Sequence, residues 1–107
     1  MTVPTTDLAD PAVRAFVEAV NAHDRAALRA AMTDQPTMTD DGRDRELGPW
    51  LDGEVFETDG RMEVAAQSED GRDLVVRFTN SRWGTMNTRW HFESAQGKVS
   101  HFDTGQA

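Results

Sequence analysis

Asp40, Arg89, His91, His101 and Asp103 are the side chains whose types and spacing could do chemistry in this sequence. Asp40 opens an Asp40-Asp41-Gly42 turn. A carboxylate placed there against apolar walls would be a proton-abstracting base, because desolvation favours its neutral form. The competing reading is a turn aspartate satisfied by backbone N–H groups. Arg89 and His91 alternate along one apolar-patterned segment, His101 and Asp103 along the next. If these segments pair as a hairpin with Arg89 opposite Asp103, then His91 faces His101 and all four share one face. A His–Asp acid/base pair would then stand beside an arginine able to polarise a carbonyl or epoxide oxygen. A register one residue different places Trp90 opposite His101 and breaks the set. The same residues also suit cross-strand ion pairing on a solvent-facing or dimer-facing sheet.

The elements that position these groups can be read from the apolar pattern. Residues 1–9 read as a flexible lead-in, and 10–107 as one domain, as 107 residues favour. Asp10-Pro11 is a helix start, followed by a core-facing stripe of Val13, Phe16, Val17 and Val20. Asp24 caps a second helix through about Met32. Pro36 forces the chain to extend, Thr37–Asp40 form a short strand, and an irregular third helix holds Pro49 in its first turn. From residue 61 the period becomes two. Strands are predicted over Met62–Gln67, Leu74–Thr79, Thr85–Glu93 and Lys98–Thr104, with turns at Glu69-Asp70-Gly71 and Gln96-Gly97. Helices first and a meander afterwards give an α+β class, with helices on one face of an antiparallel sheet.

Composition excludes several functions. Eleven basic against 19 acidic side chains leave a net charge of −8, which repels nucleic-acid backbones and anionic lipid. Neither nucleic acid nor membrane is an expected partner; cationic or neutral ligands suit the charge. No apolar run approaches the roughly 20 residues of a membrane span. The N-terminal residues lack the pattern of a secretory signal, so a cytoplasmic location is expected. With no cysteine there is no thiolate nucleophile or ligand, and the three histidines lack a paired metal spacing. No metal is expected. No glycine-rich loop opens a helix, so no nucleotide cofactor is expected either. His23, at a helix corner, reads as structural.

The Asn21-Ala22-His23-Asp24 corner and the ending Trp90-His91-Phe92, Gly97-Lys98-Val99, Phe102-Asp103 resemble, in order and spacing, the nuclear-transport-factor-2-like superfamily over residues 10–106. It includes ketosteroid isomerase and the SnoaL-like polyketide cyclases. The resemblance implies a cone-shaped α+β fold, N-terminal helices packed on a curved antiparallel sheet, and a homodimer through the outer sheet face, where Val75 would be buried. It implies a pocket for a small hydrophobic molecule, with Phe16, Trp50, Trp83 and Trp90 as lining candidates. Ketosteroid isomerases carry their base where Asp40 falls. Their oxyanion-hole donors fall on Phe16 and on Thr88 or Arg89, and Phe16 can donate nothing. SnoaL-like cyclases use an aspartate on the last strand with a histidine on the preceding one, matching Asp103 and His91. Limonene-epoxide hydrolases use an Asp-Arg-Asp set, of which Arg89 and Asp103 match two. The implied catalytic set is Asp40, His91, Asp103 and Arg89, in a cofactor-independent isomerase, cyclase or hydrolase; the alternative is a non-catalytic binding or interaction module of the same fold.

Overall fold

A computed structural model describes residues 2–107. Asp10 caps α1 (Pro11–Ala22) by accepting from the backbone N–H groups of Ala12 and Val13 at 2.8 and 3.1 Å. The predicted stripe is fully sealed, with Val13, Phe16, Val17 and Val20 at most 1% exposed. His23 ends the helix in a left-handed conformation (φ 52°), and Asp24 caps α2 (Arg25–Ala30) through the Ala27 N–H.

The chain then forms β1 (Met32–Asp40), β2 (Arg43–Arg45), α3 (Leu47–Leu51) and a π-helical turn over Asp52–Phe56. Four strands follow: β3 (Arg61–Gln67), β4 (Asp73–Asn80), β5 (Gly84–Ala95) and β6 (Lys98–Gln106). All six strands join one sheet in the order β2-β1-β6-β5-β4-β3. The class is α+β, as the pattern predicts, but the sheet is mixed. β1 runs parallel to β6, while every other pairing is antiparallel.

Three local expectations change. Met32 opens β1 opposite Val99 instead of closing α2; the ladder is interrupted before Thr37, where Pro36 has no N–H to offer. β2 has three exposed residues and no alternation, so no hydrophobic period marks it; it forms because Asp41 and Gly42 both take positive φ (51° and 80°) and reverse the chain. The lead-in before α1 is packed. Leu8 is buried, Val3 N–H donates to Val64 O at 2.7 Å, and Gln67 bonds both Ala9 and Asp7. A single apolar residue in a short polar segment is enough to dock it once the β3 edge is there to receive it. Met1 lies outside the described residues.

The helices cover one face of the sheet, and alternation sorts the side chains. Thr88, Trp90 and Phe92 of β5 and Phe102 and Thr104 of β6 face the helices and are buried. Phe16 of α1 sits at the centre, its ring centroid 5.2 Å from Phe92 and from Phe102 and 6.2 Å from Trp90. At the sheet edge, Asn21 accepts from Met62 N–H (2.7 Å) and donates to Met62 O (2.9 Å), so the end of α1 occupies ladder positions that β3 would otherwise leave open. No helix among the described residues is long and apolar enough to cross a membrane.

Candidate functional site

A hollow of about 330 Å³ opens beyond the aromatic core, between α3 with its π-helical turn and the far ends of β1, β5 and β6. That is the lower end of the range that holds small ligands, about 300–1,000 Å³. Its apolar walls are Trp50, Phe78, Trp83, Met86 and Trp90. Asp40 lines it from the last position of β1, where its backbone is fixed by pairing with Thr104 on one side and Arg43 on the other. Trp50 Nε1 donates to Asp40 Oδ2 at 3.1 Å. Glu54 contributes a second carboxylate, held by Trp83 Nε1 and Asn80 Nδ2, each 3.1 Å from Oε2.

The indole and Thr88 donors around this hollow are already engaged, whereas the Arg45 guanidinium and the Gln106 amide line it as well. Besides the indoles of Trp50 and Trp83, Trp90 Nε1 donates to Thr88 Oγ1 at 2.9 Å, and the Thr88 hydroxyl donates to Val76 O at 2.9 Å. Phe16, a lining candidate by resemblance, has no exposed surface; Trp90, Phe92 and Phe102 close over it, so it supports the wall from behind and touches no ligand. Neither position matched to an oxyanion-hole donor therefore aims a free donor inward. Arg89, the other match, is on the outer face.

The remaining candidates also face outwards, on the side of the sheet away from the helices. β5 and β6 pair with His91 opposite Asp103 and Arg89 opposite Gly105, a shift of two residues from the expected register. An even shift keeps all of these side chains on one face. Arg89 lies over Gly105, where an added Cβ would come within 3.0 Å of its Nη2. His91 Nδ1 is 2.7 Å from Asp73 Oδ1, and His101 bridges Thr37 (Nδ1, 2.6 Å) and Asp103 (Nε2, 2.9 Å). His91, Glu93 and Asp103 each present a ligand atom within 4.8 Å of the others. Their hydrogen bonds go to other residues, His91 to Asp73 and Asp103 to Thr39 and His101.

Asp103 is held below the usual carboxylate value by the Thr39 hydroxyl first and by His101 second, partly opposed by its burial. A depressed folded value means that the unfolded chain binds the proton more readily. The stability gained from Asp103 is therefore complete above about pH 3.8 and is lost as pH falls through the lower folded value. Denaturant midpoints of the parent and Thr39→Val should differ most near pH 6 and converge on acidification towards pH 3. A gap that stays constant across that window would contradict the assignment.

No protein-family model matches this sequence, and no curated protein matches it. Solved structures do. A candidate polyketide cyclase from Sinorhizobium meliloti superposes with a TM-score of 0.76 at 15% identity, covering 95% of this chain and 99% of that one. An NTF2-like protein of unknown function from Cytophaga hutchinsonii gives 0.68 at 15% identity, over 100% and 93%. This chain has the nuclear-transport-factor-2-like fold. An LEH-like epoxide hydrolase from M. tuberculosis also gives 0.68, at 18% identity over 97% and 86%. Identities this low show the shared fold and no shared chemistry.

Within the nuclear-transport-factor-2-like fold, the expected residues divide between two faces. Asp40, Trp50, Trp83 and Trp90 meet at the hollow; Arg89, His91 and Asp103 meet on the other side of the sheet. Glu54 was missed by sequence reasoning. It stands four residues after Trp50, the spacing that puts two side chains on one helical face, but Gly53 between them obscured the helix.

Proposed function

We propose that this chain is a small-molecule pocket protein in which Asp40 is the acid/base group and the ligand lies between Trp50, Trp83 and Trp90. The observation that carries the reading is the placement of the Asp40 carboxylate. It lines a tryptophan-walled hollow, it has a single hydrogen-bond partner in Trp50, and no cation is within 4.0 Å of it among the described residues. Such a carboxylate keeps an oxygen free to take a proton from a bound molecule. Similarity to a candidate polyketide cyclase and to an epoxide hydrolase is consistent with cofactor-independent chemistry on a small molecule.

In this proposal Arg89, His91 and Asp103 serve the outer sheet face. There Arg89 stands opposite Val75, 42% exposed, with His91 beside it, at a shallow hollow of about 360 Å³. A second copy of the chain would cover this apolar strip, giving a cytoplasmic homodimer. A purely binding pocket is the alternative, favoured by the engaged state of the indole and Thr88 donors, which leaves only Arg45 and Gln106 of the lining side chains to donate to a developing oxyanion.

The test is a titration of aromatic and terpenoid fragments, followed by tryptophan fluorescence and by product analysis. Saturable binding with turnover is expected, and Asp40→Asn should keep the binding of uncharged fragments while turnover falls on the order of 10²-fold. Binding without turnover across the panel would select the binding-only alternative. No fluorescence response at all would remove the pocket role.

A further inference from the structure

We infer that the ligand of this hollow is a cation, a small amine protonated at neutral pH with an apolar or aromatic body. The inference rests on the pocket reading above and adds the charge of what the pocket takes.

The charge balance of the lining leads to it. Asp40, Asp41 and Glu54 all line the hollow, and Arg45 is the sole basic residue there. Among the described residues, no Lys, Arg or His nitrogen comes within 4.0 Å of any of the three carboxylates. Other carboxylates do find such partners: Arg14 pairs with Glu18, Arg25 with Asp52 and Arg72 with Asp10. Asp41 Oδ1 and Arg89 Nη2 lie 2.5 and 3.0 Å from one point over Gly105, so Asp41 is balanced in part from the outer face; Asp40 and Glu54, with no cation in contact, concentrate a negative potential in a concave apolar-walled site.

Hydrogen-bonding capacity has the same sign. The indole N–H groups of Trp50, Trp83 and Trp90 are each directed to a protein oxygen. What remains at the hollow is mainly acceptor capacity on Asp40, Asp41 and Glu54. A ligand that donates is therefore satisfied, whereas one bringing a carboxylate or an enolate meets like charge.

The walls agree as well. Indole rings attract cations through their negative faces. Trp83, 54% exposed at the rim, already carries one: the Arg82 guanidinium lies 4.8 Å from its ring centroid. The overall charge of −8 would also draw a cation towards the protein at low salt.

The experiment uses three molecules of nearly the same shape: 2-phenylethylammonium, 2-phenylethanol and phenylacetate. Each is titrated into the full chain at pH 7 with tryptophan fluorescence as the readout, alongside the neutral terpenoid fragments. The ammonium ion should bind at least tenfold more tightly than the alcohol, and phenylacetate should not bind measurably. The preference should shrink in 0.5 M NaCl and fall severalfold in both Glu54→Gln and Asp41→Asn. Two variants are used because Glu54 also anchors Trp83, and the melting temperature of each confirms that it is folded. Equal or tighter binding of the alcohol or of phenylacetate would overturn the inference. So would saturable binding of the terpenoids with none of the ammonium ion, and in both cases the pocket reading would survive. Failure of every molecule to bind would remove the pocket and the inference together.

Discussion

Phe16→Ala should destabilise the protein by about 3–5 kcal/mol, the range for truncating a sealed aromatic. Phe16 has no exposed surface, and its edge-on contacts with Phe92 and Phe102, at 5.2 Å, join α1 to the two central strands. Those strands carry the inward groups that floor the hollow, so the cavity left by alanine would open beneath Trp90. Chemical denaturation of the purified variant measures the effect. The resemblance suggested a ligand-touching role for this residue. A variant of near-parental stability that had lost ligand affinity would restore that role and contradict the packing described here.

Gly71→Ala should cost about 2–4 kcal/mol, although it adds only one methyl group, at a buried position in a turn. Two independent terms combine. The residue has φ +75°, a conformation costing a non-glycine residue about 1–2 kcal/mol. The new Cβ would also lie 2.7 Å from the Asp10 backbone nitrogen and 3.0 Å from Ala9 Cβ. Asp10 is the cap of α1, and Arg72, the next residue, reaches its Oδ2 at 3.3 Å. Relieving the clash would move a cap that is itself worth about 1 kcal/mol. A thermal melt of the variant compared with Gly42→Ala, where no atom lies within 4 Å of the added carbon, separates strain from collision. Equal losses at the two positions would show that the collision contributes nothing.

Local signals were legible in the sequence wherever the physics is local. Asp10-Pro11, the Val13-Phe16-Val17-Val20 stripe and the alternation of Met86, Thr88, Trp90 and Phe92 each depend on near neighbours, and each has its predicted outcome. What the sequence hid depends on partners far along the chain. Met32 and the residues around Pro36 become strand because β6 offers them a ladder, and Leu8 is buried because β3 receives it. The candidate site divides in the same way. Asp40 and Trp50, close in sequence, stand together. The hairpin register that sets which of Arg89, His91, His101 and Asp103 are opposite depends on the irregularity between Glu93 and Ser94, which no residue type announces. Which face of that hairpin the helices cover is a property of the whole sheet.

The parallel pairing of β1 with β6 has a consequence for how this protein comes into being. Thr39 meets Asp103 across a sequence separation of 64, and β6 lies between β1 and β5, both of which are made before it. Until β6 leaves the ribosome, two sticky strand borders stand apart with a gap between them, and the hollow has no back wall. Assembly must wait for that wedge, so the nascent chain spends its most vulnerable interval with its future binding chamber unbuilt.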